Sequence, residues 1–119
     1  MDYNTIFAQR TKKLSIKIIN ELSELPYSDK VSVLRKQIFR SSSSSASNYR
    51  AMCRARSNKE KYAKICIVVE EADETLFWLE VIKEVNIMKN EELLKEMTIE
   101  AEEIVKVTAT YKRKLGEGL

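Results

Sequence analysis

Apolar residues recur at alternating steps of three and four along almost the whole chain, the spacing of helices that bury one stripe. Phe7, Thr11, Leu14, Ile18, Glu21/Leu22 and Leu25 carry the first run, with Ile6 and Ile19 widening it. It predicts a helix over 3–25, stopped because Pro26 disfavours helical geometry at Leu25. A second helix is expected over 29–55, capped by Ser28 or Asp29. Its seam runs through Val31, Leu34 and Ile38 and continues in phase through Ser42, Ser45, Tyr49 and Met52. Ser57-Asn58-Lys59-Glu60 reads as a capping box opening a third helix over 58–87. Tyr62, Ile65, Val69, Ala72, Leu76 and Leu79 form its stripe, Cys66, Val68 and Phe77 broaden it, and Ile82 extends it. The fourth helix is expected over 90–115, on Leu94, Met97, Ala101, Ile104, Thr108, Tyr111 and Leu115, with Gly116 at its C-terminal cap. Four long helices with short connections predict an all-α fold, an antiparallel up-down-up-down four-helix bundle occupying residues 1–119 as one domain.

The run Ser41–Ser45 would pass for a linker on composition alone. It holds no glycine or proline, and the helical phase survives across it. The expected reading is therefore a helix whose small residues let a neighbouring backbone approach closely, with hydroxyls bonded back to carbonyls one turn earlier.

Composition agrees with long helices. The only proline is Pro26 and the only glycines are Gly116 and Gly118. At 33% charged and 44% hydrophobic the chain reads as folded rather than disordered. The N-terminus shows no basic region followed by an apolar run, and no stretch has the length and hydropathy of a membrane span, so a cytoplasmic protein is expected. No histidine occurs, which removes His-based triads, His metal ligands and imidazole acid–base chemistry. Cys53 and Cys66 are too widely spaced for a CxxC motif and are expected as buried, reduced thiols.

The net charge of +3 conceals a strong asymmetry. Residues 1–29 are balanced. Residues 30–64 carry ten cations and one acid, Glu60, whereas residues 65–119 carry seven cations and thirteen acids. A segment this basic can follow a phosphate backbone. The competing reading is charge pairing within or between chains. Arg35, Lys36, Arg40, Arg50, Arg54, Arg56, Lys59 and Lys61 are the candidate nucleic-acid contacts.

Glu70, Glu71, Asp73 and Glu74 form the densest acidic cluster. A carboxylate-bridged metal site in a bundle wants Glu-x-x-His motifs, which this chain cannot supply. No metal, cofactor or catalytic site is expected, and the chain is read as a non-enzyme. Glu71 or Glu74 is instead expected to accept hydrogen bonds from helix two, where Ser45, Asn48 and Arg50 offer donors. Phe77 and Trp78 are adjacent and cannot both face one core, so one is expected to face a partner. Ser42, Ser45, Asn48, Tyr49, Glu71, Glu74, Phe77 and Trp78 are thus the candidate packing and interface residues.

Two stretches also resemble a known family. Gln37-Ile38-Phe39-Arg40-Ser41-Ser42-Ser43-Ser44-Ser45-Ala46-Ser47-Asn48-Tyr49-Arg50-Ala51 and Glu71-Ala72-Asp73-Glu74-Thr75-Leu76-Phe77-Trp78-Leu79 are similar to the bacterial four-helix-bundle proteins encoded in intervening sequences of the 23S rRNA gene. These are related to the accessory protein of diversity-generating retroelements. The Leu25-Pro26 break matches too, while Ser44–Ser47 stand where the family usually has smaller or glycine residues. The resemblance implies an antiparallel bundle assembling as a homopentameric ring, and its retroelement relative implies nucleic acid as a partner. Two functions are therefore expected as alternatives. One is a homo-oligomer binding RNA or DNA through the basic surface. The other is a structural or adaptor oligomer with a protein partner, its basic and acidic segments pairing between subunits.

Overall fold

A computed structural model describes residues 2–119. Four helices follow one another: α1 (Tyr3–Ser23), α2 (Asp29–Cys53), α3 (Asn58–Val85) and α4 (Glu91–Glu117). Each starts where a side chain takes up a free backbone amide. Asp2 accepts from the Thr5 N–H at 2.8 Å, Ser28 from Val31 at 3.1 Å, Ser57 from Glu60 at 3.1 Å and Asn90 from Leu93 at 3.0 Å. The reciprocal arm of the expected capping box is shifted by one residue, since the Glu60 carboxylate accepts from the Arg56 N–H at 2.8 Å. α1 ends two residues before Leu25. α3 ends at Asn86, which adopts a left-handed φ of 57°, a conformation Asn tolerates better than most residues. α4 runs past Gly116 to a cap at Gly118.

The helices pack α1 on α2, α2 on α3 and α3 on α4, giving an up-down-up-down antiparallel bundle of 46 × 23 × 21 Å. The closing interface, α1 on α4, is the smallest. It is bridged by Arg10, which donates to Glu100 at 2.5 and 2.9 Å and to Glu103 at 3.0 Å, and by Lys17 to Glu96 at 3.6 Å.

The core is a column of Ile18, Leu22, Ile38, Met52, Ile65, Leu79, Ile82, Met97 and Ile104, all essentially inaccessible. At mid-height it narrows to small polar residues, where α2 runs unbroken through Ser41–Ser45. Ser41, Ser42 and Ser45 are buried. Ser42 and Ser15 share a hydrogen bond across α1 and α2 (Oγ–Oγ 3.2 Å). Thr75 Oγ1 lies 2.9 Å from both Ser41 Oγ and the Glu71 carbonyl oxygen. Ala72 and Ala101 complete the layer, which leaves a void of only about 10 Å³. Small residues on all four helices let the backbones close in, and paired hydroxyls avoid the cost of burying them alone.

Two expectations about α3 and the thiols are corrected. The buried stripe of α3 passes through Val68, Ala72, Thr75 and Leu79, leaving Val69 and Leu76 half-buried and Phe77 on the outer face, 52% exposed. Val69–Leu76 and Val68–Thr75 both fit a three-and-four spacing, and packing on α2 selects the second, where Thr75 meets Ser41, turning Phe77 to the opposite face. Cys53 and Cys66 are free but half-buried, rather than sealed in the core.

Candidate nucleic-acid interface

The eight candidate cations divide by what their heads meet. Arg35 turns inward and donates to the carbonyls of Leu22 and Leu25 at 3.3 and 3.2 Å, satisfying the C-terminal end of α1. Arg40 lies against α3, where its guanidinium donates to Glu71 at 2.6 Å and to Glu74. Those two bonds, to Glu74 first, hold the guanidinium above its usual pKa. Trp78 Nε1 donates to the same Glu74 carboxylate at 3.1 Å. The expected donors to this carboxylate pair do not reach it. Asn48 turns back to the Ser44 carbonyl at 2.9 Å, Ser45 is buried in the small-residue layer, and Arg50 is exposed.

Lys36, Arg50, Arg54, Arg56, Lys59 and Lys61 form no ion pair among the described residues. All but Lys36 lie where α2 ends and α3 begins. Here the fold adds cations from outside the basic segment 30–64. Gly116 sits against the Tyr62 ring so closely that a Cβ there would be 3.3 Å from it. This approach lays the last turns of α4, with Lys112, Arg113 and Lys114, beside the first turns of α3. Of these, Arg113 has only the exposed Glu117 at 4.0 Å. One end of the bundle therefore gathers eight cations near three carboxylates, Asp2, Glu60 and Glu117. Asp2 and Glu60 are occupied by backbone amides, and the Thr5 N–H holds the Asp2 carboxyl below its ordinary value.

Beside this end α1 and α2 enclose a groove of about 760 Å³. Short side chains, Ala8, Ser43, Ala46 and Ser47, line much of it, Gln9 and Ile16 flank them on α1, and Lys12, Arg50 and Arg54 stand along it. Asn4 lies at one end with its Oδ1 buried and without a hydrogen-bond donor. Nearby, Cys53 Sγ approaches the Asn4 carbonyl at 3.8 Å, and burial pushes the thiol pKa up, away from reactivity.

The remaining interface candidates separate by depth. Ser42, Ser45 and Tyr49 are core residues, and Glu71 is mostly covered by Arg40. Phe77 stands out from α3, edge-on to Trp78 with ring centroids 4.9 Å apart. The exposed Glu70, Asp73, Glu80 and Glu84 share its side of the helix. Among the described residues no group of three or more metal-ligating side chains forms, and no helix is long and apolar enough to cross a membrane.

Fold and surface together define an all-α four-helix bundle with one cationic end. Residues 4–110 match the 23S rRNA-intervening sequence protein family, and the chain belongs to it. It is also similar to a crystal structure of a protein of unknown function, from the S23 ribosomal protein family of Bacteroides thetaiotaomicron. Identity is 25% and the TM-score 0.81, over 92% of this chain and 97% of that one. Comparison with curated proteins finds no match.

Proposed function

We propose that this protein is a non-enzymatic cytoplasmic nucleic-acid-binding protein whose binding surface is the cationic end where α2, α3 and α4 meet. The observation that carries the reading is how the cations sort between internal bonds and open surface. Arg35 and Arg40 are consumed by internal bonds, while Arg50, Arg54, Arg56, Lys59 and Lys61 face no carboxylate across a helix interface. Free cations held on rigid helices neutralise phosphates and release counterions. Arg50 and Arg54 share one helical face, and their planar forks suit phosphate oxygens. The test is binding of RNA and DNA across a salt series. The expected affinity falls steeply with salt, and charge reversal of Arg50, Arg54 and Arg56 abolishes it while the helical circular dichroism persists. Unchanged affinity in the triple variant overturns the proposal.

A second reading rests on Phe77, exposed among carboxylates. In it, that acidic face of one subunit meets the cationic end of the next, making a homo-oligomeric adaptor for a protein partner. Light scattering distinguishes the two. An oligomer dispersed by salt and indifferent to RNA supports the adaptor, and an assembly that persists in salt and shifts with RNA supports the first reading.

A further inference from the structure

We infer that the groove between α1 and α2 is a seat for a single-stranded segment of nucleic acid, an inference that rests on the binding function proposed above. The groove exists because short side chains face one another. α1 and α2 touch through Ser15 and Ser42, and again through Asn4 and Cys53. Between those two points Ala8, Ser43, Ala46 and Ser47 leave the space open. Its volume of about 760 Å³ admits roughly two nucleotide-sized groups, since sites for drug-sized ligands run about 300–1,000 Å³.

Charge selects a polyanion. Lys12 stands on the α1 wall and Arg50 and Arg54 on the α2 wall, none of them in an ion pair among the described residues. The single lining carboxylate, Asp2, is committed to the Thr5 amide. Arg50 and Arg54 are one helical turn apart, about 6 Å along the axis, so each can meet a different phosphate of one strand. Ser43 and Ser47 donate to carbonyls of their own helix, which leaves their oxygens free to accept from a base amine or a ribose hydroxyl. Shape selects a single strand. The groove spans two adjacent helices of a bundle only 23 × 21 Å across, too narrow to seat a rigid duplex, whereas a flexible strand can follow its floor. The arginine planes also offer bases a stacking surface.

The test is fluorescence anisotropy on the full chain, with a labelled ten-nucleotide RNA strand and the duplex of the same sequence at one low salt concentration. The strand is expected to bind about tenfold more tightly than the duplex. Filling the groove with Ala46→Leu, or with Ser47→Leu at an exposed position that spares the fold, is expected to lower strand affinity about tenfold and leave duplex affinity unchanged. Equal or tighter duplex binding overturns the inference. So does normal strand binding in both groove variants, and if Arg56→Glu/Lys59→Glu, at positions outside the groove lining, still abolishes binding, the cationic-end function survives without the groove. Absence of binding to either RNA by the unmodified chain overturns both.

Discussion

Tyr49 is a core residue of α2, with 1% of it exposed. No partner hydrogen-bonds its hydroxyl among the described residues. Burial, and then the nearby Cys53, Tyr111 and Asp2, push the phenol above its ordinary value of 10.0. Because the folded pKa is raised, the neutral form's contribution is fully present below pH 10 and is lost as pH rises toward the folded value. The expected slope is at most about 1.4 kcal/mol per pH unit above pH 10. Tyr49→Phe should leave neutral-pH stability within about 0.5 kcal/mol and remove that alkaline component. Denaturant midpoints of both proteins at pH 9 and pH 11 check this, and equal alkaline losses would refute it. Residues such as Tyr49 were legible from spacing, because a core position depends on the helix's own period. Phe77 was not, because two registers of α3 fit the three-and-four spacing equally well and only packing against α2 chose between them.

At the scale of elements, two features set how the helices meet. The small-residue layer lets α2 lie close to α1 and α3. Ser42→Ala should cost about 1 kcal/mol, since Ser15 is left buried without its partner. Ser42→Leu should cost about 1–3 kcal/mol or more, since the void of about 10 Å³ cannot take three extra carbons. Chemical denaturation with an unchanged m-value would measure both, and a harmless Ser42→Leu would show the layer to be loose. The second feature is Arg10, which joins α1 to α4 through Glu100 and Glu103 and lies over the Phe7 ring at 4.5 Å from its centroid. Hydrogen bonds to Glu100 above all hold the guanidinium charged beyond its already high range, so the bridge is not expected to open through titration of the arginine. With the pair partly exposed to solvent, Arg10→Ala should cost about 1–2 kcal/mol. Amide exchange in α1 should accelerate ahead of α2 and α3, because α1 on α4 is the smallest interface. Uniform acceleration across all four helices would contradict this.

Over the whole molecule, the long axis of 46 Å separates a cationic end from an α3 flank rich in carboxylates. Such a distribution orients a polyanion as it approaches. If the end works as one surface, Lys112, Arg113 and Lys114 belong to it although they lie some fifty residues beyond the basic segment. Neutralising all three should flatten the slope of log affinity against log salt by about one for each phosphate no longer neutralised. A slope unchanged in that variant would confine the surface to α2 and α3.

The alternating steps of three and four, the capping residues before each helix and the near-absence of glycine and proline determined the helices and their up-down order. These are properties of a chain's local geometry, set without any neighbour. The hydroxyls of Ser42 and Ser45 were placed on the seam by the same phase. Only the tertiary structure decided which cations are free. Whether Arg35 caps α1, or Arg40 meets Glu71 and Glu74, depends on partners that folding brings from ten to thirty-four residues away. The approach of Gly116 to Tyr62 likewise adds α4 to the cationic end. Charge pairing acts through space, and no period in the chain encodes which opposite charge will be within reach.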